Sequence, residues 1–330
     1  MRVTTPQQTG ITRSQFFRPP IGISTNQISV NADSIAVSVL PYVDRDGFTP
    51  NDHFYKHVNH SPIYVDVSDW HLTVGGLVEK PLRLSLDELH GWQRVEKPYT
   101  LAAVTSTPQN LLMGHALWRG MPLSVLLQDA AKRADALYAQ FHSVNGYSTY
   151  LPIAMVEDAI LAYEMNGKPM TAEHGYPVRL IVPGVYDYKM PKWVQSIELV
   201  STPSSGLYES RGWSAEGLVQ TTSAIFTPRL REHVSGKVLF SGMAFAGSRT
   251  IKRIELSIDD GDWMPVPFVA AEGGSWTRWQ MDWMPPAPGD YLVKVRATDH
   301  DGFTQPDALN LPVFPNGSSA NHAVVFRVSM

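Results

Sequence analysis

The chain has 330 residues, 27 Lys and Arg against 31 Asp and Glu for a net charge of −4, 43% hydrophobic residues and no cysteine. That length exceeds the size at which single cores stop growing, so two domains are expected. The mixed charge builds no basic field for nucleic acid, and no apolar run is long enough to cross a bilayer as a helix. Without thiols the chain has no disulfides, thiolate zinc sites, iron–sulfur clusters or cysteine nucleophiles.

In chain order, residues 1–48 are rich in Thr, Gln, Pro and Asn without a sustained period, which predicts an extended arm with one short strand at SIAVSVL (34–40). No signal peptide is legible: Arg2, Arg13 and Arg18 are not followed by an apolar stretch, and TRSQFF (12–17) is an ordinary polar tail. DWHLTVGGLV (69–78) alternates as a strand, and LSLDELHGW (84–92) opens a helix in which Ser85 and Glu88 have capping-box spacing. PLSVLLQDAAKRADA (122–136) has helical spacing, and YAQFHSVNGYSTYLPI (138–153) alternates around a turn at Asn145-Gly146. Helix and strand signals therefore mix, an α+β pattern.

After about Ser201 the helical signals stop. Strands are predicted at GKVLFSGMAFAG, IKRIELSID, WTRWQMDW, GDYLVKVRATD and HAVVFRVSM, separated by DDGD, PPAPGD and FPNGSS. Short strands punctuated by turn-forming clusters predict an immunoglobulin-like β-sandwich. Two metal-like signals fade: DHDG (299–302) lacks the later glutamate of a calcium loop and reads as a hairpin turn, and His53, His57 and His60 read as loop histidines because Asn and Pro nearby disfavour a helix.

Several ordered segments carry a family likeness. FYKHVNHSP, DWHLTVGGLVEKPLRLSLDEL, ALWRGMPLSVLL, ILAYEMNGKPM, EHGYPVRLIVPGVYDYKMPKW and SRGWSAEG, followed by AFAGSRTIKRIELSIDDGDW, VRATDHDGFTQ and PNGSSANHAVVFRV, resemble the sulfite oxidase family of molybdopterin enzymes. The resemblance implies a mixed α+β molybdopterin domain over 49–203, preceded by the arm at 1–48, and an immunoglobulin-like dimerisation domain over 204–330. It also implies a homodimer through the sandwich or docking on a membrane redox complex, and an extracytoplasmic location, periplasmic or membrane-associated. No nucleic-acid partner is expected.

The resemblance assigns site positions as well. Phe54, Tyr55, His57, Asn145, His174, Arg179, Lys189 and Lys192 fall on the family's pterin contacts, with Asn145 where an aspartate is common. A pterin with a phosphate and a polar ring edge calls for cations and bidentate donors. The family's molybdenum-binding cysteine falls on Ala103, whose methyl group offers no lone pair, so a molybdopterin is expected and molybdenum is disfavoured. His57 stands where one substrate-binding arginine is usual, Pro108 and Phe314 where two others are, and Trp213 where a tyrosine assists turnover. Two readings follow: a catalytically inactive scaffold or redox-complex subunit, a pseudoenzyme with a pterin pocket; or a molybdopterin-dependent oxidoreductase performing oxygen-atom transfer, its ligand Cys changed to Ala103.

Overall fold

The protein is described by a computed structural model that covers residues 41–56, 62–108 and 110–329. The strand expected at 34–40, and His57 and His60, lie outside the described residues. Strands dominate and α-helix is scarce, so the α+β expectation narrows to a mostly β architecture.

The first elements are β1 (Leu72–Gly76), β2 (Leu82–Leu84), helix α1 (Leu86–Gly91), β3 (Val95–Ala102), β4 (Met113–Pro122) and helix α2 (Leu123–Asp129). They continue through β5 (Tyr138–Ser143), β6 (Ser148–Pro152), β7 (Ile160–Met165), β8 (Lys168–Pro169), β9 (Arg179–Ile181) and β10 (Val194–Val200). One sheet runs β2-β1-β10-β5-β6, with β1 and β10 parallel; the other runs β3-β4-β7-β8, with β9 on β7. Both feed one core containing Leu72, Trp118, Leu126, Phe141, Leu161 and Ile197. Each such side chain taken fully out of water contributes about 1.5–3 kcal/mol.

Local chemistry fixes the ends of these elements. Ser85 N–H donates to Glu88 Oε2 at 2.7 Å and Glu88 N–H to Ser85 Oγ at 3.3 Å, closing the expected box on α1. The helical spacing at 122–136 yields only Leu123–Asp129. The helix stops because the carbonyls of Ala130 and Ala131 accept from the amides of Lys80 and Glu79, and Ala131 turns to φ 51°. A tertiary contact with the segment after β1 thus overrides local helix propensity.

Later elements are β11 (Thr222–Thr227), β12 (His233–Ser235), β13 (Val238–Phe245), β14 (Ile251–Ile258), β15 (Met264–Pro265), β16 (Thr277–Trp283), β17 (Gly289–Asp299) and β18 (His322–Ser329). Sheets β11-β13-β16 and β12-β18-β17-β14-β15 share a core that includes Phe240, Ile254, Val293, Trp279 and Phe326. A third apolar cluster joins the two halves, with Ala102, Val104, Met113, Tyr186 and Tyr188 from one side and Val219, Met243, Phe245 and Trp276 from the other. Beside it Asp299, 1% exposed, accepts from Thr221 Oγ1 at 2.6 Å and Arg249 Nε at 3.0 Å, so the DHDG turn tethers the chain entering β11.

The described residues 41–56 are tied to the sheets that follow. Thr49 N–H donates to the His115 carbonyl at 2.7 Å, Phe48 stacks on the His115 ring at 5.2 Å, and Val43 packs against the third cluster.

Candidate functional site

The candidate pocket is built where the turn before β9, the turn before β10 and the 50–56 segment converge. Ala172–His174 forms a single 3-10 turn that ends at Gly175, φ 115°. A side chain there would meet the Cβ atoms of Arg179 at 2.9 Å and Lys192 at 3.0 Å, so glycine is what lets these two cationic residues approach one another.

Arg179 is 3% exposed; its Nη1 donates to the His174 carbonyl at 3.1 Å and its guanidinium lies 5.4 Å from the Trp118 ring centre. Burial lowers its pKa, while Tyr55 and Asp187 oppose that shift. The Tyr55 phenol is held neutral, its pKa raised well above the usual value first by burial and then by Asp187. Lys192 Nζ donates to the Glu173 carbonyl at 2.6 Å. Burial, followed by repulsion from Arg179, pushes the Lys192 ammonium down to about 7.

His174 is 1% exposed, and its Nε2 lies 2.8 Å from the Asn51 carbonyl. That contact requires an Nε2–H, and burial pushes the imidazole pKa down to about 4, so near neutral pH the free lone pair sits on Nδ1. Among the described residues, His174 Nδ1 and Arg179 Nε are buried without hydrogen-bond partners. One acceptor on the turn and one cationic donor at the start of β9, five residues apart, suit a polar, anionic ligand such as a phosphate-bearing pterin.

The predicted residues divide. His174, Arg179, Lys192 and Tyr55 come together, with Phe54 behind them edge-on to Trp118 at 5.7 Å and to His174 at 5.8 Å. Phe54 is wedged over Gly114, where a Cβ would lie 2.4 Å from its ring. Asn145 sits in the β5–β6 turn, its Oδ1 accepting from Tyr147 N–H at 3.0 Å; Val144 N–H donates to the Trp193 carbonyl at 2.9 Å, bringing that turn to the residue after Lys192. The Asn145 turn also borders a cavity of about 400 Å³ lined by Tyr147, Ser148, Gly206 and Ser210.

Lys189 points elsewhere. It is fully buried and forms an ion pair with Glu209, whose side chain is 4% exposed, and its ammonium lies 4.6 Å from the Tyr150 ring centre. Burial pushes the Lys189 pKa down and Glu209 opposes it. Asp187 and Glu209 were missed at the sequence level. A carboxylate inside YDYKMPKW was a readable signal for Asp187, whereas Glu209 is distant in sequence and carries no motif.

Ala103 follows β3 and is 0% exposed; its N–H donates to the Leu112 carbonyl at 2.9 Å, and its carbonyl accepts from Ser106 N–H at 3.0 Å. A small cavity of about 10 Å³ is lined by the preceding residue, Ala102, with Ser106, Pro108, Met113 and Tyr186. Trp213 and Phe314 meet edge-on at 5.2 Å. Among the described residues no group of three His, Cys, Asp or Glu side chains is placed to hold a metal ion.

Residues 59–208 match the family described as oxidoreductase molybdopterin binding domain. The chain is 31% identical over 163 residues to the uncharacterized oxidoreductase YuiH of Bacillus subtilis, covering 49% of this chain and 80% of that one. It is 28% identical over 315 residues to human mitochondrial sulfite oxidase, covering 79% of this chain and 58% of the relative. The chain belongs to the sulfite oxidase family. This family member thus spans less than two thirds of the human protein. Its fold is also that of the sulfane dehydrogenase SoxCD from Paracoccus pantotrophus, with a TM-score of 0.74 at 23% identity over 86% of this chain and 84% of that one. Among its described residues, no helix is long and apolar enough to cross a membrane.

Proposed function

We propose that this sulfite oxidase family member holds a molybdopterin-type ligand through His174, Arg179, Lys192 and Tyr55 but lacks the protein sulfur that anchors molybdenum, and that it serves as a non-catalytic scaffold or subunit of a redox complex. The observation that carries this reading is Ala103: a fully buried methyl group at the position where the family's metal-binding thiolate falls, in a chain with no cysteine.

A bound molybdopterin supplies a dithiolene and, when metallated, oxygen-atom transfer chemistry. The chain's own residues hold it. Arg179 and Lys192 neutralise an anionic end, and His174 Nδ1 accepts one proton donor while the Asn51 carbonyl fixes the ring's tautomer. Tyr55, held neutral by burial beside Asp187, offers a further buried O–H. Lys189, committed to Glu209, belongs to the support of the pocket and not to its lining.

In this reading the later sheets form an immunoglobulin-like sandwich over 204–330, the pterin-type domain spans 49–203, and the sandwich makes a homodimer or docks on a membrane redox complex outside the cytoplasm. Two sheets sharing one core support the sandwich. The paired Trp213 and Phe314 favour a non-sulfite role, because an apolar edge stands where a dianion needs arginine.

The test is the pterin content of the purified full chain, read as fluorescence of the oxidised extract. The reading expects pterin in the unaltered protein and at least a tenfold loss in Arg179→Met, the order expected for one buried charge-assisted contact. Equal pterin in both proteins would refute it.

A further inference from the structure

Between β10 and β11 the chain is irregular apart from one three-residue 3-10 turn, Glu209–Arg211. Over 204–218 only Gly206 and Gly217 are buried; the other residues are half-buried or exposed. Its apolar anchorage is confined to Tyr208 and Trp213, which pack against the third apolar cluster with Tyr208 stacked on Tyr188 at 4.9 Å, and side-chain and backbone ties hold the rest.

Those ties converge on two places. Ser204 exchanges hydrogen bonds with the Gln140 side chain at 3.0 and 3.1 Å, and Leu207 N–H donates to the Ser148 carbonyl at 3.3 Å, both on the β5–β6 hairpin that carries Asn145. Ser214 O accepts from Tyr188 Oη at 2.6 Å and Gly217 O from Tyr186 N–H at 2.7 Å, on the turn that carries Asp187. At mid-span stands Glu209, whose Oε1 takes both the Lys189 ammonium and, at 2.7 Å, Thr149 Oγ1. The two buried glycines allow this close approach: a Cβ on Gly206 would lie 2.3 Å from the Ser148 carbonyl, and one on Gly217 2.5 Å from Lys189 Cγ.

We infer that residues 204–218 form a strap across the edge of the candidate site, latched at its centre by the Lys189–Glu209 pair, and that Glu209 is a positioning residue for the strap and for the Trp213 it carries. The pair is buried, so releasing it leaves two charges without compensation; while it holds, the peripheral ties need only steady the ends. Breaking it frees the strap as a unit. The link to a ligand rests on the pterin reading above, since a buried ligand enters or leaves through the least anchored wall, whereas the latch itself stands on the protein alone.

The experiment is hydrogen exchange on the full chain, unaltered and in two variants. Glu209→Gln keeps the shape and removes the charge; the double variant Lys189→Met with Glu209→Leu removes both charges and leaves no orphaned ion. The latch expects exchange in peptides covering 204–218 to quicken at least tenfold in both variants, with β13 and β17 unchanged. Unchanged exchange of the strap in either variant, or an equal rise across the whole chain, overturns it. Pterin measured on the same samples separates the two ideas. Absence of pterin from the unaltered chain removes the functional reading and leaves the latch to be judged by exchange alone.

Discussion

His174 Nε2 lies 2.8 Å from the carbonyl of Asn51, tying the Ala172–His174 turn to the segment that delivers Phe54 and Tyr55. Asn51 is fixed in turn, its Nδ2 donating to the Met165 carbonyl at 3.0 Å while its Oδ1 accepts from Asn166 at 2.8 Å. The imidazole therefore keeps one tautomer and orientation without help from a ligand, the kind of preorganisation a binding site needs.

Stability should rise with pH through the acid range. His115, His174 and His322 are each pushed down to about 4 by burial, from the ordinary 6.5. Between those limits the unfolded chain binds protons that the folded chain refuses, so stability is lost as pH falls through that window and is restored above it. Each histidine contributes on the order of a few kcal/mol to this slope. Urea midpoints at pH 4.5 and 7 check it, and His174→Gln should flatten the dependence. Identical midpoints at the two values would contradict the assignment of three buried neutral imidazoles.

Anion binding at the pocket should weaken as pH rises through neutrality. The Lys192 ammonium, pushed down to about 7, is charged below that value and neutral above it. Pterin retention after dialysis at pH 6 and at pH 8.5 should fall severalfold across the step, and Lys192→Arg should abolish the difference because guanidinium stays charged. A step that persists in Lys192→Arg would move the effect to another group.

Much of the frame was legible in the sequence because it depends on near neighbours. The Ser85–Glu88 cap, the Asn145-Gly146 turn and the alternation of VLFSGMAF and YLVKVRATD are local signals, and each produces its element at the expected place. What failed to show depends on distant partners. Helix α2 is cut short by amides of Glu79 and Lys80, and Lys189, which has the motif position of a ligand contact, is taken by Glu209 twenty residues later in the chain. Motif spacing reports that a cation is present but not which carboxylate reaches it first.

The packing of β4 on β7 gives a stability test away from the pocket. A Cβ on Gly120 would lie 2.1 Å from the Leu161 carbonyl, a backbone atom that cannot swing aside. Gly120→Ala should cost about 2–3 kcal/mol or more through overpacking, whereas Gly91→Ala, with nothing within 4 Å of the new carbon, should change little. Denaturant melts of the two variants check the contrast, and equal stability would mean that the two strands can part more easily than their register indicates.

The central claim is that the polypeptide supplies no thiolate to a metal, and the ratio of molybdenum to pterin in the full chain tests it most directly, measured by elemental analysis beside pterin fluorescence in the unaltered protein and in Ala103→Cys. The account predicts pterin with molybdenum well below one equivalent in the unaltered chain, and a ratio that climbs toward one when the thiol is introduced. One molybdenum per pterin in the unaltered protein would contradict it.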